Sequence, residues 1–135
     1  MFCVGTTSLR TIESLYWLGI KISQQQNISV RVSISQWDPY ELSQQLSIEE
    51  SLLSLLGWMK KNDTEKIITK TQIIIAPGYN VKIADGLITN FHQPQSTLLL
   101  LVAALIGEDW KKVYQYALEN NFRFLSYGDG SLIFI

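Results

Sequence analysis

Chemically versatile side chains are scarce in this sequence: among 135 residues there is one cysteine, Cys3, and one histidine, His92. A lone cysteine excludes an intramolecular disulfide framework and a cysteine-rich zinc site. With one thiol and one imidazole, a metal site would have to be built from carboxylates, and no acidic cluster with that spacing occurs. No metal is therefore expected. Neither sign of charge is in excess, because eleven Lys and Arg face twelve Asp and Glu, a net charge of −1. That balance gives no electrostatic reason for autonomous nucleic-acid binding. The N-terminus lacks the basic segment and apolar core of a signal peptide. The longest apolar run, 98–106, is far shorter than the ~20 residues of a membrane span. A soluble, cytoplasmic chain with no membrane partner is the expectation.

What remains is a globular composition, 47% hydrophobic and 17% charged, with enough length for one domain and one core. The reading is a single α/β domain over 1–135. Phe2-Cys3-Val4 resembles the end of a buried strand; such a short strand usually continues upstream, so the chain is expected to begin within a fold. A helix is expected over 8–18, with Gly19 as its stop. "ISVRVSIS" (28–35) alternates strictly and predicts a half-buried strand. "WDPYELSQQ" reads as a loop, and Ser47 with Glu50 forms a capping box opening the next helix. "TQIIIA" predicts a buried strand, ended by Pro77-Gly78 and paired as a hairpin with "YNVKIA". Ser96 caps a helix over 97–106, apolar all round and so expected to be buried on several sides, with Gly107 as its stop. Another helix starts near Trp110, and one or two strands close the chain. Interleaved helices and strands with a hairpin argue for an α/β fold with a mixed sheet, layered α/β/α.

Four segments carry polar groups that chemistry can use. "VGTTSLR" places Thr6, Thr7 and Ser8 between a strand and a helix, where free amides and hydroxyls suit an anion or simply cap the helix. It is not a Walker loop, because the lysine and second glycine are missing. Arg10 and Glu13 are expected to pair on that helix's surface. "APGYNVKIADG" offers Asp85 and a tight turn. "TNFHQPQST" sets Asn90 and His92 just ahead of the capped helix. His92 is the only side chain suited to proton transfer near neutrality, or else a polar residue closing a turn. "SYGDG" brackets a glycine with Tyr127 and Asp129, as a site or as any turn.

Taken together, "VGTTSLRTIES", "APGYNVKIADGLITNFHQPQSTLLLLVAALIG" and "YQYALENNFRFLSYGDGSLI" resemble the C-terminal portion of the S-adenosylmethionine:tRNA ribosyltransferase-isomerases of queuosine biosynthesis. The resemblance covers 2–19 and about 71–134 and is loose between them. It implies transfer and isomerisation of the ribosyl part of S-adenosylmethionine, a co-substrate, onto 7-aminomethyl-7-deazaguanine in tRNA. The product would be epoxyqueuosine, with adenine and methionine leaving. His92 is then a candidate base or acid. Thr6, Thr7 and Ser8 would bind ribose or phosphate oxygens, and Tyr79, Asp85, Asn90, Tyr127 and Asp129 would hold the substrate. Gln93 and Gly130 depart from the family pattern, which has a hydrophobic residue and commonly alanine there. Family members are considerably longer, with an upstream portion that includes a β-barrel-like domain. The chain is thus expected to be the C-terminal part of the main domain, truncated relative to the full fold and inactive alone. The partners expected are tRNA in the full-length context, and a second copy or the missing N-terminal polypeptide. A non-catalytic binding or self-associating module, or a subunit completed in trans, are the other readings.

Overall fold

The computed structural model describes residues 1–24, 32–70 and 72–135. In chain order the elements are β1 (Phe2–Val4), α1 (Thr6–Gln24), α2 (Asp38–Glu41), α3 (Ile48–Lys61), β2 (Gly86–Asn90), α4 (Thr97–Ile106), α5 (Asp109–Glu119) and β3 (Gly130–Phe134). The strands form a mixed sheet in the order β1-β2-β3, β1 parallel and β3 antiparallel to β2. The α/β class and the mixed sheet are as expected. No helix among the described residues is long and apolar enough to cross a membrane. The chain divides into two compact units, one of Met1–Leu9 with Ile74–Ile135 and one of Arg10–Ile73.

The first unit is built on the sheet. Its register sets Cys3, Leu87 and Ile133 side by side, and all three are buried. On the opposite face Phe2, Val4, Ile88, Leu132 and Phe134 are exposed. Gly86 lies between Phe2 and Phe134, whose rings meet edge to face at 5.6 Å. A Cβ at Gly86 would come within 2.3 Å of the Phe2 ring, so only glycine lets the rings close over the strand.

The hairpin expected from 71–76 and 79–84 does not form. Neither 72–76 nor 79–84 is a strand, and Thr71 lies outside the described residues. Ile73, Ile74 and Ile75 are nevertheless all buried, because an apolar run encodes burial without fixing a ladder partner. The turn is present: the Tyr79 amide donates to the Ala76 carbonyl at 2.9 Å, and Gly78 takes φ +98° after Pro77, as a type II turn requires. Ser96 caps α4 by accepting from the Leu99 amide at 3.2 Å, and Gly107 ends it at φ +56°. The burial of α4 on several sides needs correction. Leu101 and Val102 are buried but Leu100 is 43% exposed, because α5 packs along only part of the apolar surface.

In the second unit α1 runs straight through Gly19 to Gln24, past the expected stop. The reason is a close approach of α3: a Cβ at Gly19 would lie 2.1 Å from the Ser51 carbonyl oxygen. Ser51 Oγ also donates to the Tyr16 carbonyl at 2.5 Å. Gly19 is there for packing, not termination. The capping box of α3 is formed as the sequence indicates, Ser47 Oγ accepting from the Glu50 amide at 3.2 Å and Glu50 from the Ser47 amide at 2.8 Å. Glu13 is fully buried, so the expected surface pair with Arg10 is not made at the surface. The expected loop at 37–45 contains the single helical turn α2, started by Pro39. Of the strand expected at 28–35, residues 28–31 lie outside the described residues. Val32 and Ile34 are buried while Ser33 and Ser35 are exposed, keeping the alternation without a strand.

Candidate functional site

All nine residues singled out in the sequence belong to the first unit. Parallel pairing of β1 with β2 points both strands the same way, with Val4 opposite Ile88. The segments leaving β1 and β2 therefore emerge at the same end of the sheet. After β1, Gly5 turns the chain at φ +86°, and its amide donates to the Ile88 carbonyl at 2.8 Å. Thr6, Thr7 and Ser8 then open α1, Thr7 and Ser8 exposed and Thr6 half-buried. The first amides of a helix have no intrahelical acceptor, so this corner offers donors to an anionic or hydroxyl-rich ligand.

After β2 come Asn90, Phe91 and His92. Thr89 is a core-facing strand position, only 6% exposed, and its hydroxyl lies 3.0 Å from His92 Nε2. The backbone amide of His92 donates to the Tyr114 hydroxyl at 3.0 Å, tying the segment to α5. Burial holds the His92 imidazole below its ordinary pKa, since desolvation disfavours the charged ring. Burial likewise raises the Tyr114 phenol, against a smaller opposing effect of the His92 amide. Phe91 anchors an aromatic cluster, 5.3 Å from Tyr114, 5.6 Å from Phe122 and 5.4 Å from Phe124.

The loop before β3 closes the same end. The Leu125 amide donates to the Phe91 carbonyl at 2.9 Å, and the Asn90 side-chain amide donates to the Gly128 carbonyl at 3.2 Å. Asp129 accepts from the Arg123 amide at 2.7 Å and its guanidinium at 3.2 Å; the amide first and the guanidinium second keep its carboxyl below the usual range. Gly128 has no room for a side chain, with the Arg123 carbonyl 2.2 Å from a notional Cβ. Leu125 holds φ +70°, a strained setting for a bulky residue. Tyr127 projects from this loop almost fully exposed.

Thr6, Thr7, Ser8, Asn90, His92, Tyr127 and Asp129 thus gather around one end of the sheet. Asp85 does not join them. It precedes β2, its amide donating to the Met1 carbonyl and its carbonyl accepting from the Ile135 amide; its carboxylate receives the Met1 amino group. Five residue steps along β2 separate it from Asn90, about 16 Å along the strand. Tyr79 is buried beside its turn. Sequence reasoning missed Thr89 and Tyr114. The available signal was a threonine on the core face of an apolar strand, three residues before the histidine, and a tyrosine on the apolar stripe of α5.

Three comparisons with known proteins bear on the chain. A family model described as "Queuosine biosynthesis protein" matches residues 1–133. The S-adenosylmethionine:tRNA ribosyltransferase-isomerase of Ruegeria pomeroyi is 58% identical over 64 residues, which are 47% of this chain and 18% of that protein. Its counterpart from Halothermothrix orenii is 56% identical over 64 residues, 47% of this chain and 19% of that protein. The crystal structure of S-adenosylmethionine tRNA ribosyltransferase from Thermotoga maritima is similar at a TM-score of 0.58 and 31% identity, over 98% of this chain and 32% of that one. The match thus spans about a fifth of the curated relatives' length and a third of the solved chain.

Proposed function

The chain belongs to the family of queuosine biosynthesis proteins, and on that premise we propose that it is the C-terminal part of an S-adenosylmethionine:tRNA ribosyltransferase-isomerase. The reaction moves the ribosyl part of S-adenosylmethionine to 7-aminomethyl-7-deazaguanine in tRNA and isomerises it, releasing adenine and methionine; S-adenosylmethionine is consumed as a co-substrate. A tRNA substrate puts the reaction in the cytoplasm. The observation that carries this reading is the parallel pairing of β1 and β2, which sets the Gly5–Ser8 corner and the Asn90–His92 exit at one sheet end. Ligands of α/β sheets bind outside the carboxyl ends of the strands.

In this reading Thr6, Thr7 and Ser8 hold ribose hydroxyls. The sulfonium acidifies the carbon beside it, and proton removal there begins the rearrangement, while the departing adenine needs a hydrogen-bond donor or acid. His92, whose imidazole burial holds below its ordinary pKa, is the imidazole of this chain that serves the reaction. Asn90 and Asp129 fix the loop that carries Tyr127 over the same end. Asp85 and Tyr79 act in support, holding the far end of β2 and the Pro77-Gly78 turn. The net charge of −1 leaves tRNA binding to basic surface carried by the rest of such an enzyme.

The test is release of adenine from S-adenosylmethionine in the presence of unmodified substrate tRNA. The 135-residue chain alone is expected to release none, and a full-length family member to release it. Loss of about 100-fold or more is expected when the residue matching His92 becomes alanine. Unchanged release in that variant removes His92 from the chemistry.

A further inference from the structure

The contact between Thr89 and His92 fixes more than the position of the ring. A buried hydroxyl must place its hydrogen on an acceptor, because an unpartnered buried donor is costlier and rarer than an unused lone pair. Thr89 is 6% exposed, and the partner its hydroxyl has among the described residues is His92 Nε2, 3.0 Å away. Were Nε2 to carry a proton and donate to Thr89, the threonine's own hydrogen would be left without an acceptor. Donation therefore runs from Thr89 Oγ1 to a bare Nε2. A neutral imidazole with a bare Nε2 carries its proton on Nδ1. Nδ1 has no protein partner among the described residues, and the ring is half-buried.

We propose that Thr89 is a positioning residue that locks His92 in the Nδ1–H tautomer, so that His92 meets the substrate as a hydrogen-bond donor through Nδ1 and not as a base. The tautomer rests on the Thr89–His92 contact and the burial of Thr89, whereas the substrate role rests on the functional reading above. The ligand group it fits is an uncharged acceptor or a developing negative charge, such as a ribose oxygen or a ring nitrogen of the leaving adenine. The Tyr114 bond to the His92 backbone amide holds the main chain while Thr89 holds the ring, so the Nδ1–H direction is set from two sides.

Two measurements test this, one for each half. Long-range proton–nitrogen NMR spectra of the histidine-labelled 135-residue chain, taken above the imidazole titration, are expected to show a protonated Nδ1 and a bare Nε2. Thr89→Val is expected to shift the ring towards the mixture of a free side chain, in which Nε2–H predominates, and Thr89→Ser to preserve the native pattern. A native spectrum dominated by Nε2–H overturns the assignment even where the valine variant does not fold. For the role, the position matching His92 in a full-length family member is changed to Asn or Gln. An asparagine amide can stand in for Nδ1–H and a glutamine amide for Nε2–H. Adenine release by the Asn variant is expected to exceed that of the Gln variant by roughly tenfold, within the usual reach of one donor. Equal loss in both refutes the donor role. Full activity in both removes His92 from the chemistry, and the donor role with it, and leaves the tautomer standing.

Discussion

His92 is held at its backbone and at its ring by different residues, and the two attachments can be removed separately. Tyr114→Phe takes away the acceptor of the His92 amide but keeps the ring contacts with Phe91, Trp110 and Phe124. A destabilisation of about 1–3 kcal/mol is expected, the cost of stranding a partly buried donor, read as a lower urea midpoint. The imidazole predicts a pH effect of its own. Its folded pKa lies below the ordinary value of 6.5, so between the two values the unfolded chain binds more protons. Stability is therefore complete above about 6.5, falls as pH drops below it, and levels off beneath the folded pKa. His92→Gln should flatten this part of the curve when urea midpoints are compared from neutral to mildly acidic pH. His92 stands out in the sequence as a lone imidazole before a capped helix. Its partners do not, because Thr89 and Tyr114 approach it only through the register of β2 and the packing of α5.

At the scale of elements, two glycines make opposite predictions. Gly19 lies inside α1, where alanine ordinarily gains about 1 kcal/mol of helix propensity. Here its Cβ would collide with the Ser51 backbone, so Gly19→Ala is expected to lower stability by about 1–3 kcal/mol through overpacking. At Gly130 the nearest atom to a notional Cβ is the Thr89 carbonyl oxygen at 3.7 Å, and its φ is not positive. Gly130→Ala should stay within about 0.5 kcal/mol of the native protein; thermal melts of the two variants side by side separate the cases. Local signals read the caps correctly, since Ser47, Ser96 and Gly107 act within one turn of their own position. They misread Gly19, because a glycine needed for close helix approach looks the same in sequence as one that stops a helix. They also missed β2. "GLITN" is a short strand whose pairing partners, Phe2–Val4 and Gly130–Phe134, lie some eighty residues before it and forty after it, and alternation over five residues does not announce them.

For the whole molecule, a family membership that spans nearly all of the chain meets candidate site residues that all lie in one of its two compact units. The sheet end that collects the Gly5–Ser8 corner, His92 and the Tyr127 loop is the one that an α/β sheet offers to ligands, and the Asp85 end lies about 16 Å away. The motif order in the sequence was enough to group these segments. Which end of the strands each occupied had to wait for the parallel register of β1 and β2. The most direct test is a crystal structure of a full-length family member with S-adenosylmethionine bound. The expected result is the ribose or adenine within hydrogen-bond reach, about 3 Å, of Nδ1 at the position matching His92, with the Thr6–Ser8 corner on its hydroxyls. A ligand seated at the Asp85 end of the sheet, out of reach of that imidazole, would contradict it.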